Sequence, residues 1–373
     1  MPRPLTYIHS YNCITPLGMN IQEVWNQLLN NRSGVKKRPG EEFYTGYLDT
    51  HRIESDFTKQ FSIKTATSRL EKMLLLALQP LVEKHPVTEH SLLILSTTKG
   101  NINLLKKESP PAPETHLYHT AQIVAKQLGF NTPPVVVSNA CVSGVMAVLV
   151  AKRLLQSGSY KNAFVVAGDE LSEFVMAGFE SFMALSKTRC APYSPDRDGI
   201  NLGEAAAAIY MDTHTRAGSF EILGEGAVND ANHISGPSRT GEGLAKSIQR
   251  ALAEAQLSAQ EIDYLSAHGT ATLYNDEMES LAFHQCGLSN VPTNSLKAYF
   301  GHTLGASGLL ELVVALKSVQ ENMLIQSLGS KEGGVSKPIR LLLENQNAPL
   351  QTLLKTASGF GGSNAAVIVK KIS

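Results

Sequence analysis

Apolar and polar positions alternate along this chain in two distinct rhythms. Ile21, Val24, Trp25, Leu28 and Leu29 recur at the spacing of one helical face, and the stripe stops at the polar run Asn30-Asn-Arg-Ser-Gly34. Helix-like stretches also run over Leu70 to Val82, Ala121 to Leu128, up to Leu155, Leu244 to Ala255, Glu277 to Phe283 and up to Val319. Between them lie short apolar runs of strand length: Leu5 to His9, Ser91 to Thr97, Pro134 to Val137, Phe164 to Ala167, Phe220 to Val228, Ile262 to Ser266, Ile339 to Leu343 and Ala365 to Val369. Residues 35–60 read as polar and irregular, with Lys36-Lys-Arg38 as a solvated charge run, and Ser109-Pro-Pro-Ala-Pro113 reads as a loop. Strands that alternate with helices predict an α/β fold with largely parallel sheets.

The grammar occurs twice. Asn139-Ala-Cys-Val-Ser-Gly144 leads into one apolar helix, and Gly301-His-Thr-Leu-Gly-Ala-Ser-Gly308 leads into another. An internal duplication is compatible with this, though the identity is weak. The polar gap Thr213-His-Thr-Arg-Ala-Gly218 then divides the chain into halves 1–217 and 218–373.

The 373 residues carry 33 Lys+Arg and 33 Asp+Glu, a net charge of zero, which argues against a general nucleic-acid or polybasic membrane binder. A hydrophobic fraction of 43% supports a large core, and no apolar run approaches the ~20 residues of a membrane span. Four cysteines without Cys-x-x-Cys spacing fit neither a zinc site nor a disulfide scaffold. The first residues lack the apolar core of a signal peptide, so a reducing cytoplasm is expected.

Candidate chemistry begins at Cys141, which follows a strand and opens a helix among the small residues Ala140, Ser143 and Gly144. Unpaired N–H groups and positive partial charge at a helix start favour a thiolate. His268 and His302 both stand in glycine-flanked loops that can present an imidazole to a small ligand. Lys297, five residues before His302, sits in an apolar stretch and needs a carboxylate partner; Glu311, Asp276 and Glu279 are the candidates. Each has a bland alternative: a buried cysteine, structural histidines, a surface lysine. The glycine run Ser358-Gly-Phe-Gly-Gly-Ser-Asn364 matches no phosphate-binding loop and suits a tight turn presenting a backbone N–H.

Together these segments resemble the β-ketoacyl-acyl-carrier-protein synthases, the elongating Cys-His-His condensing enzymes of the thiolase superfamily. The resemblance rests on Asn139–Gly144, Ala267-His-Gly-Thr-Ala-Thr272 with Asn275-Asp276, Asn294–Gly308 and Gly359–Asn364, with Thr15-Pro-Leu-Gly18 and Asp196-Arg-Asp-Gly199 in support, all in order along nearly the whole chain. It implies a thiolase-like α/β fold, five-layered αβαβα and built from two similar halves. It implies Cys141 as nucleophile, His268 and His302 as catalytic histidines and Lys297 as their support. Glu311 matches the family's glutamate after the second histidine. Phe360 matches its gating phenylalanine, whose N–H joins that of Cys141 in an oxyanion hole, and Thr270 and Thr272 match its pantetheine-contacting threonines. It further implies an acyl carrier protein as partner, substrates carried on phosphopantetheine, no metal or redox cofactor, and a homodimer or a ketosynthase-like heterodimer. Two features depart from the pattern. Gly203-Glu-Ala-Ala-Ala207 carries a methyl where the family has glycine, and the stretches before Ser91 and around residues 100–120 are short. Such trimming points toward a specialised pathway, such as polyene or polyketide assembly, rather than housekeeping fatty-acid synthesis. The rivals are a chain-length-factor-like subunit, which generally lacks the cysteine, a thiolase and a cysteine protease.

Overall fold

The computed structural model describes residues 4–62, 67–105, 111–230 and 236–372. Ser109 and Pro110 of the proline-rich stretch lie outside the described residues. The helices are α1 (Ile21–Leu29), α2 (Thr50–Gln60), α3 (Arg69–Lys84), α4 (Leu117–Gln127), α5 (Ser143–Gln156), α6 (Glu173–Ser181), α7 (Glu242–Ala255), α8 (Leu273–Gln285), the short α9 (Lys297–Phe300) and α10 (Ser307–Glu321). The main strands are β1 (Tyr7–Ile14), β2 (Ser91–Ser96), β3 (Val135–Val137), β4 (Asn162–Asp169), β5 (Ala205–Asp212), β6 (Phe220–Asn229), β7 (Tyr264–Ser266), β8 (Thr293–Asn294), β9 (Thr352–Gly359) and β10 (Ser363–Lys371).

These ten strands are hydrogen-bonded in the order β3-β2-β4-β5-β1-β6-β10-β9-β7-β8. Read outward from its middle, the order is the same on both sides. In each set of five, the first strand pairs antiparallel with the fifth, the fifth antiparallel with the fourth, and the fourth and second are parallel neighbours. The third strand pairs parallel with the second at each edge. Among the described residues the two sets are joined by a short pairing, Tyr7↔Glu221 and Ile8↔Phe220, extended by the Ile222 N–H to the Thr6 carbonyl at 3.0 Å.

Side-chain alternation builds the layers. Along β4, Ala163, Val165 and Ala167 face the central core, whereas Phe164 and Val166 face the outer core beneath α3 and α4. Along β10, Ala365, Val367 and Val369 face the centre and Ala366 and Ile368 face the core under α7 and α8. Helices α5 and α10 pack against each other and against strands of both sets. The result is the five-layered αβαβα arrangement, with α5 and α10 buried in its middle. No helix among the described residues is long and apolar enough to cross a membrane.

Three expectations fail. The main sheet is not largely parallel: four of its nine neighbouring pairs are parallel and five antiparallel, because the first, fifth and fourth strands of each set run antiparallel in succession. Residues 35–60 are not irregular: Val35–Lys37 and Tyr44–Gly46 pair as a small side sheet, and Thr50–Gln60 is helical. That helix is polar overall, but Asp49 caps it and Ile53 and Phe57, one turn apart, are buried. Lys36 and Lys37 remain exposed, while the Arg38 guanidinium sits 4.2 Å from the centre of the Tyr47 ring. Conversely, Ile339–Leu343 forms no strand; only Leu341 bridges, to Thr293.

The two central helices meet at glycine. A Cβ on Gly144 of α5 would lie 2.6 Å from the backbone nitrogen of Leu309, and one on Gly308 of α10 would lie 3.0 Å from that of Val145. Gly144→Val is expected to destabilise the protein by about 2–3 kcal/mol through overpacking. Gly178→Ala on α6, where a Cβ meets nothing within 4 Å, should be neutral or slightly stabilising. Thermal denaturation of the two variants checks this; equal melting temperatures would contradict the packing argument.

Candidate active site

The close approach of α5 and α10 brings together residues far apart in sequence. Cys141 lies just before α5 and His302 just before α10. The His302 Nε2 is 2.9 Å from the Cys141 sulfur, and its Nδ1 is 2.9 Å from the Ser307 hydroxyl. The Ser307 oxygen also accepts the Thr303 N–H at 3.2 Å. His268, at the end of β7, is edge-on to His302 with ring centroids 5.3 Å apart. The sulfur and one nitrogen from each imidazole all lie within 4.8 Å of one another.

A cavity of about 430 Å³ opens onto this trio, lined by Cys141, His268, His302, Thr270, Thr272 and Phe360 among others. Thr270 and Thr272 share a hydroxyl contact at 2.9 Å. Phe360 is 39% exposed and stacks on Phe179 at 5.7 Å, while Phe179 lies edge-on to His302. The Phe360 backbone N–H lies near enough to the Cys141 thiol to favour its anion. The turn between β9 and β10 therefore sits directly over Cys141. A Cβ on Gly359 would come within 3.0 Å of the Cys141 nitrogen, so glycine permits that approach.

Behind the histidines lies a buried charge cluster. Lys297 is fully buried and its ammonium pairs with Glu311 and donates to the His268 carbonyl at 2.9 Å. Of the three carboxylates considered, Glu311 is therefore the partner. Glu279 instead accepts the His268 and Gly269 N–H groups at 2.8 and 2.7 Å, together with the Tyr193 hydroxyl and the Asn275 amide. Asp276 accepts the Tyr193 N–H at 2.7 Å and the Ala271 N–H at 3.2 Å. The loop 268–271 is thus held by carboxylates on its amide side, which fixes His268 despite its flexible-looking Gly-Thr-Ala sequence.

Burial decides the protonation states. It pushes the Cys141 thiol up to about 11, against the opposing pull of Lys297 and of the Phe360 N–H. The thiolate expected from the helix start alone is not favoured, because desolvation outweighs the helix field. Burial, reinforced by Lys297, holds both His268 and His302 well below the ordinary imidazole value, so both are neutral at pH 7. Burial and the adjacent Glu279 raise Asp276 to about 7.

Three contributors escaped the sequence reading. Lys355, in β9, bonds the second oxygen of Glu311 at 2.6 Å; its position in the apolar run Leu353-Leu-Lys invited the reasoning applied to Lys297. Ser307 had no signal beyond its spacing from His302. Asp169, at the end of β4, accepts N–H groups from Thr98 and from Gly305 at 3.0 and 2.7 Å and so ties the first half to the His302 loop. Only the tertiary fold reveals that tie.

Models of the β-ketoacyl synthase N-terminal and C-terminal domains match residues 82–217 and 219–331. A 3-oxoacyl-[acyl-carrier-protein] synthase 2 from Rhizobium meliloti is 32% identical over 63% of this chain and 60% of its own length. A protein of that name from Staphylococcus aureus is 24% identical over 98% of this chain and 97% of its own. Among solved structures, a ketosynthase in complex with its chain length factor from Xenorhabdus doucetiae superposes with a TM-score of 0.85 at 26% identity, covering 99% of this chain and 98% of the other. A β-ketoacyl synthase from Burkholderia phymatum gives 0.87 at 23% identity, covering 99% and 100%. With the sulfur and the two imidazoles meeting where the two matched regions join, the chain belongs to the β-ketoacyl synthase family.

Proposed function

We propose that this protein is a β-ketoacyl-acyl-carrier-protein synthase, an acyltransferase that joins an acyl thioester to malonyl-carrier protein with loss of CO2. The observation that carries this reading is the 2.9 Å contact between the Cys141 sulfur and His302 Nε2, with His268 facing the same cavity.

In the first half-reaction Cys141 attacks the carbonyl of an acyl group carried on phosphopantetheine. A covalent intermediate splits a hard step into two easier ones. The thiol proton passes to His302 and then to the departing pantetheine sulfur. Ser307 can donate to Nδ1 or accept from it, so the imidazole can carry its proton on either nitrogen. The tetrahedral oxyanion is assigned to the N–H groups of Cys141 and Phe360; removing one such donor costs on the order of 3 kcal/mol. In the second half-reaction a malonyl thioester loses CO2. The enolate oxygen accepts hydrogen bonds from Nε2–H of His268 and His302, both neutral here. The enolate carbon then forms the new C–C bond as the acyl C–S bond breaks. Thr270 and Thr272 are assigned to the pantetheine arm and Phe360 to gating. Lys297, Glu311, Glu279 and Asp276 hold the histidine loops. The reading assigns no metal or redox cofactor.

The matched strand order supports treating 1–217 and 218–373 as the two halves of a duplicated unit, joined near residue 217. Assembly with a second ketosynthase-fold chain, identical or chain-length-factor-like, is supported by the short edge strand β3, whose three valines are half-buried, close in sequence to Cys141. Four free cysteines suit a reducing cytoplasm. The alternative, a chain-length-factor-like subunit without activity, does not account for a thiol in hydrogen-bond reach of an imidazole.

Cys141→Ala should abolish acyl-enzyme formation from acyl-carrier protein, seen by intact mass, with the fold retained; continued condensation would overturn the mechanism. His302→Ala should slow malonyl decarboxylation about 100-fold or more, and more than it slows acyl transfer, in single-turnover assays of each half-reaction. Because the Cys141 thiol is pushed up to about 11, its thiolate fraction rises with pH across the accessible range. Alkylation of the empty enzyme by iodoacetamide should therefore accelerate about tenfold per pH unit from 7 to 9. A gain of only about threefold between pH 8 and 9, the levelling expected of an ordinary thiol near 8.5, would show a thiol that is not raised.

A further inference from the structure

Glu311, in the second turn of α10, has both carboxylate oxygens taken by buried ammoniums. Lys297 bonds Oε1, and Lys355 bonds Oε2 at 2.6 Å. Both lysines are fully buried. The Lys355 ammonium also donates to the carbonyls of Ala267 and Ser266 at 3.1 and 3.3 Å. Lys297 takes the next carbonyl, that of His268, at 2.9 Å. Three successive carbonyls thus end on two cations that share one carboxylate. On the opposite side, Glu279 takes the N–H groups of His268 and Gly269. An ammonium has three N–H donors, and all three of Lys355 are spent on these groups. None is left for a substrate.

A buried ammonium is costly unless it is well paired, and an apolar residue would fill this strand position at lower cost. The cation therefore calls for a role in the site it adjoins. We propose that Lys355 is a positioning residue for the condensation reaction: sharing Glu311 with Lys297, it fixes the turn that carries His268 and adds a second cation behind the imidazole pair. The proposal rests on the reading of His268 and His302 as the reacting histidines.

Its consequence is electrostatic as well as geometric. The ionisable groups around the two imidazoles are Cys141 before α5, Asp169 at the end of β4, Tyr193, Asp276 and Glu279 on α8, Lys297 on α9, Glu311 on α10 and Lys355 on β9. Glu279 and Glu311 are matched by Lys297 and Lys355. Positive charge on Lys355 opposes protonation of either imidazole, in line with the lowered positions of both. A neutral imidazole protonated on Nε2 donates to an enolate and keeps Nδ1 as a lone pair.

The test is a proton titration of the histidines by NMR on protein labelled in the imidazole carbons, for wild type, Lys355→Met and Lys355→Arg, alongside the pH profile of malonyl decarboxylation. Lys355→Met should move the titration of His268 and His302 toward neutrality by about one pH unit, roughly tenfold in proton affinity. The acid limb of decarboxylation should move up with it, and Lys355→Arg should restore both. Glu311→Gln with Lys355→Met removes one charge of each sign. It should return the titration to near its wild-type position; Lys355→Gln, which removes the charge but keeps a donor for Glu311, is the second variant if Lys355→Met fails to fold and should move the titration the same way as Lys355→Met. An unmoved titration in the folded single variant, Lys355→Met or Lys355→Gln, would overturn the proposal. So would a rate that falls equally at all pH values with the acid limb fixed. Acylation of wild-type Cys141, followed by mass, tests the underlying reading separately; its absence would remove the reaction but leave the imidazole titration to decide the charge effect.

Discussion

Two buried helices touch backbone to backbone, and the site exists because they do. Gly144 and Gly308 let the first turns of α5 and α10 approach more closely than any side chain would allow. Cys141 precedes one helix and His302 the other, so the contact sets a sulfur from one half of the chain against an imidazole from the other. Both helix starts carry positive partial charge and unpaired N–H groups, and both face the same cavity. Negative charge develops three times in the proposed reaction: on the thiolate, the tetrahedral oxyanion and the enolate. The packing of the central layer and the stabilisation of those anions are consequences of the same contact.

Burial sets the resting state against the chemistry. It raises the thiol and lowers the imidazoles, so the empty site favours neutral partners at 2.9 Å over an ion pair. Negative charge is then favoured chiefly as it develops on the substrate, where preorganised donors act with little reorganisation. The preorganisation has a visible source. The residues after β7 run between ammoniums on their carbonyl side and carboxylates on their amide side, so His268 is rigid although Gly269 follows it. The His302 loop is fixed from elsewhere, by Asp169 reaching across from the first half to the Gly305 N–H.

Much of this was legible from sequence, for identifiable reasons. Helices with a full apolar stripe, such as α1 and α7, declare their boundaries because burial selects their residues. Cys141, His268 and His302 stand out because small residues must surround a side chain that a ligand reaches. Helix α2 was hidden because only Ile53 and Phe57 of its eleven residues are buried. Ile339–Leu343 misled because its apolar residues fill space beside β8 with only a single bridge to it. Lys355 and Ser307 act through partners distant in sequence or through geometry that spacing does not convey. The direction of the thiol shift also needed the structure, since a helix start and burial oppose each other and only the fold shows which dominates.

The central claim is that an acyl group parked on Cys141 is extended by a decarboxylated malonyl unit. The most direct measurement is mass analysis of carrier-protein products after the enzyme is given an acyl-carrier protein and malonyl-carrier protein. The account predicts a β-ketoacyl product longer by two carbons, with one CO2 released per product. Release of free fatty acid with no extended chain, across a panel of acyl donors, would contradict it.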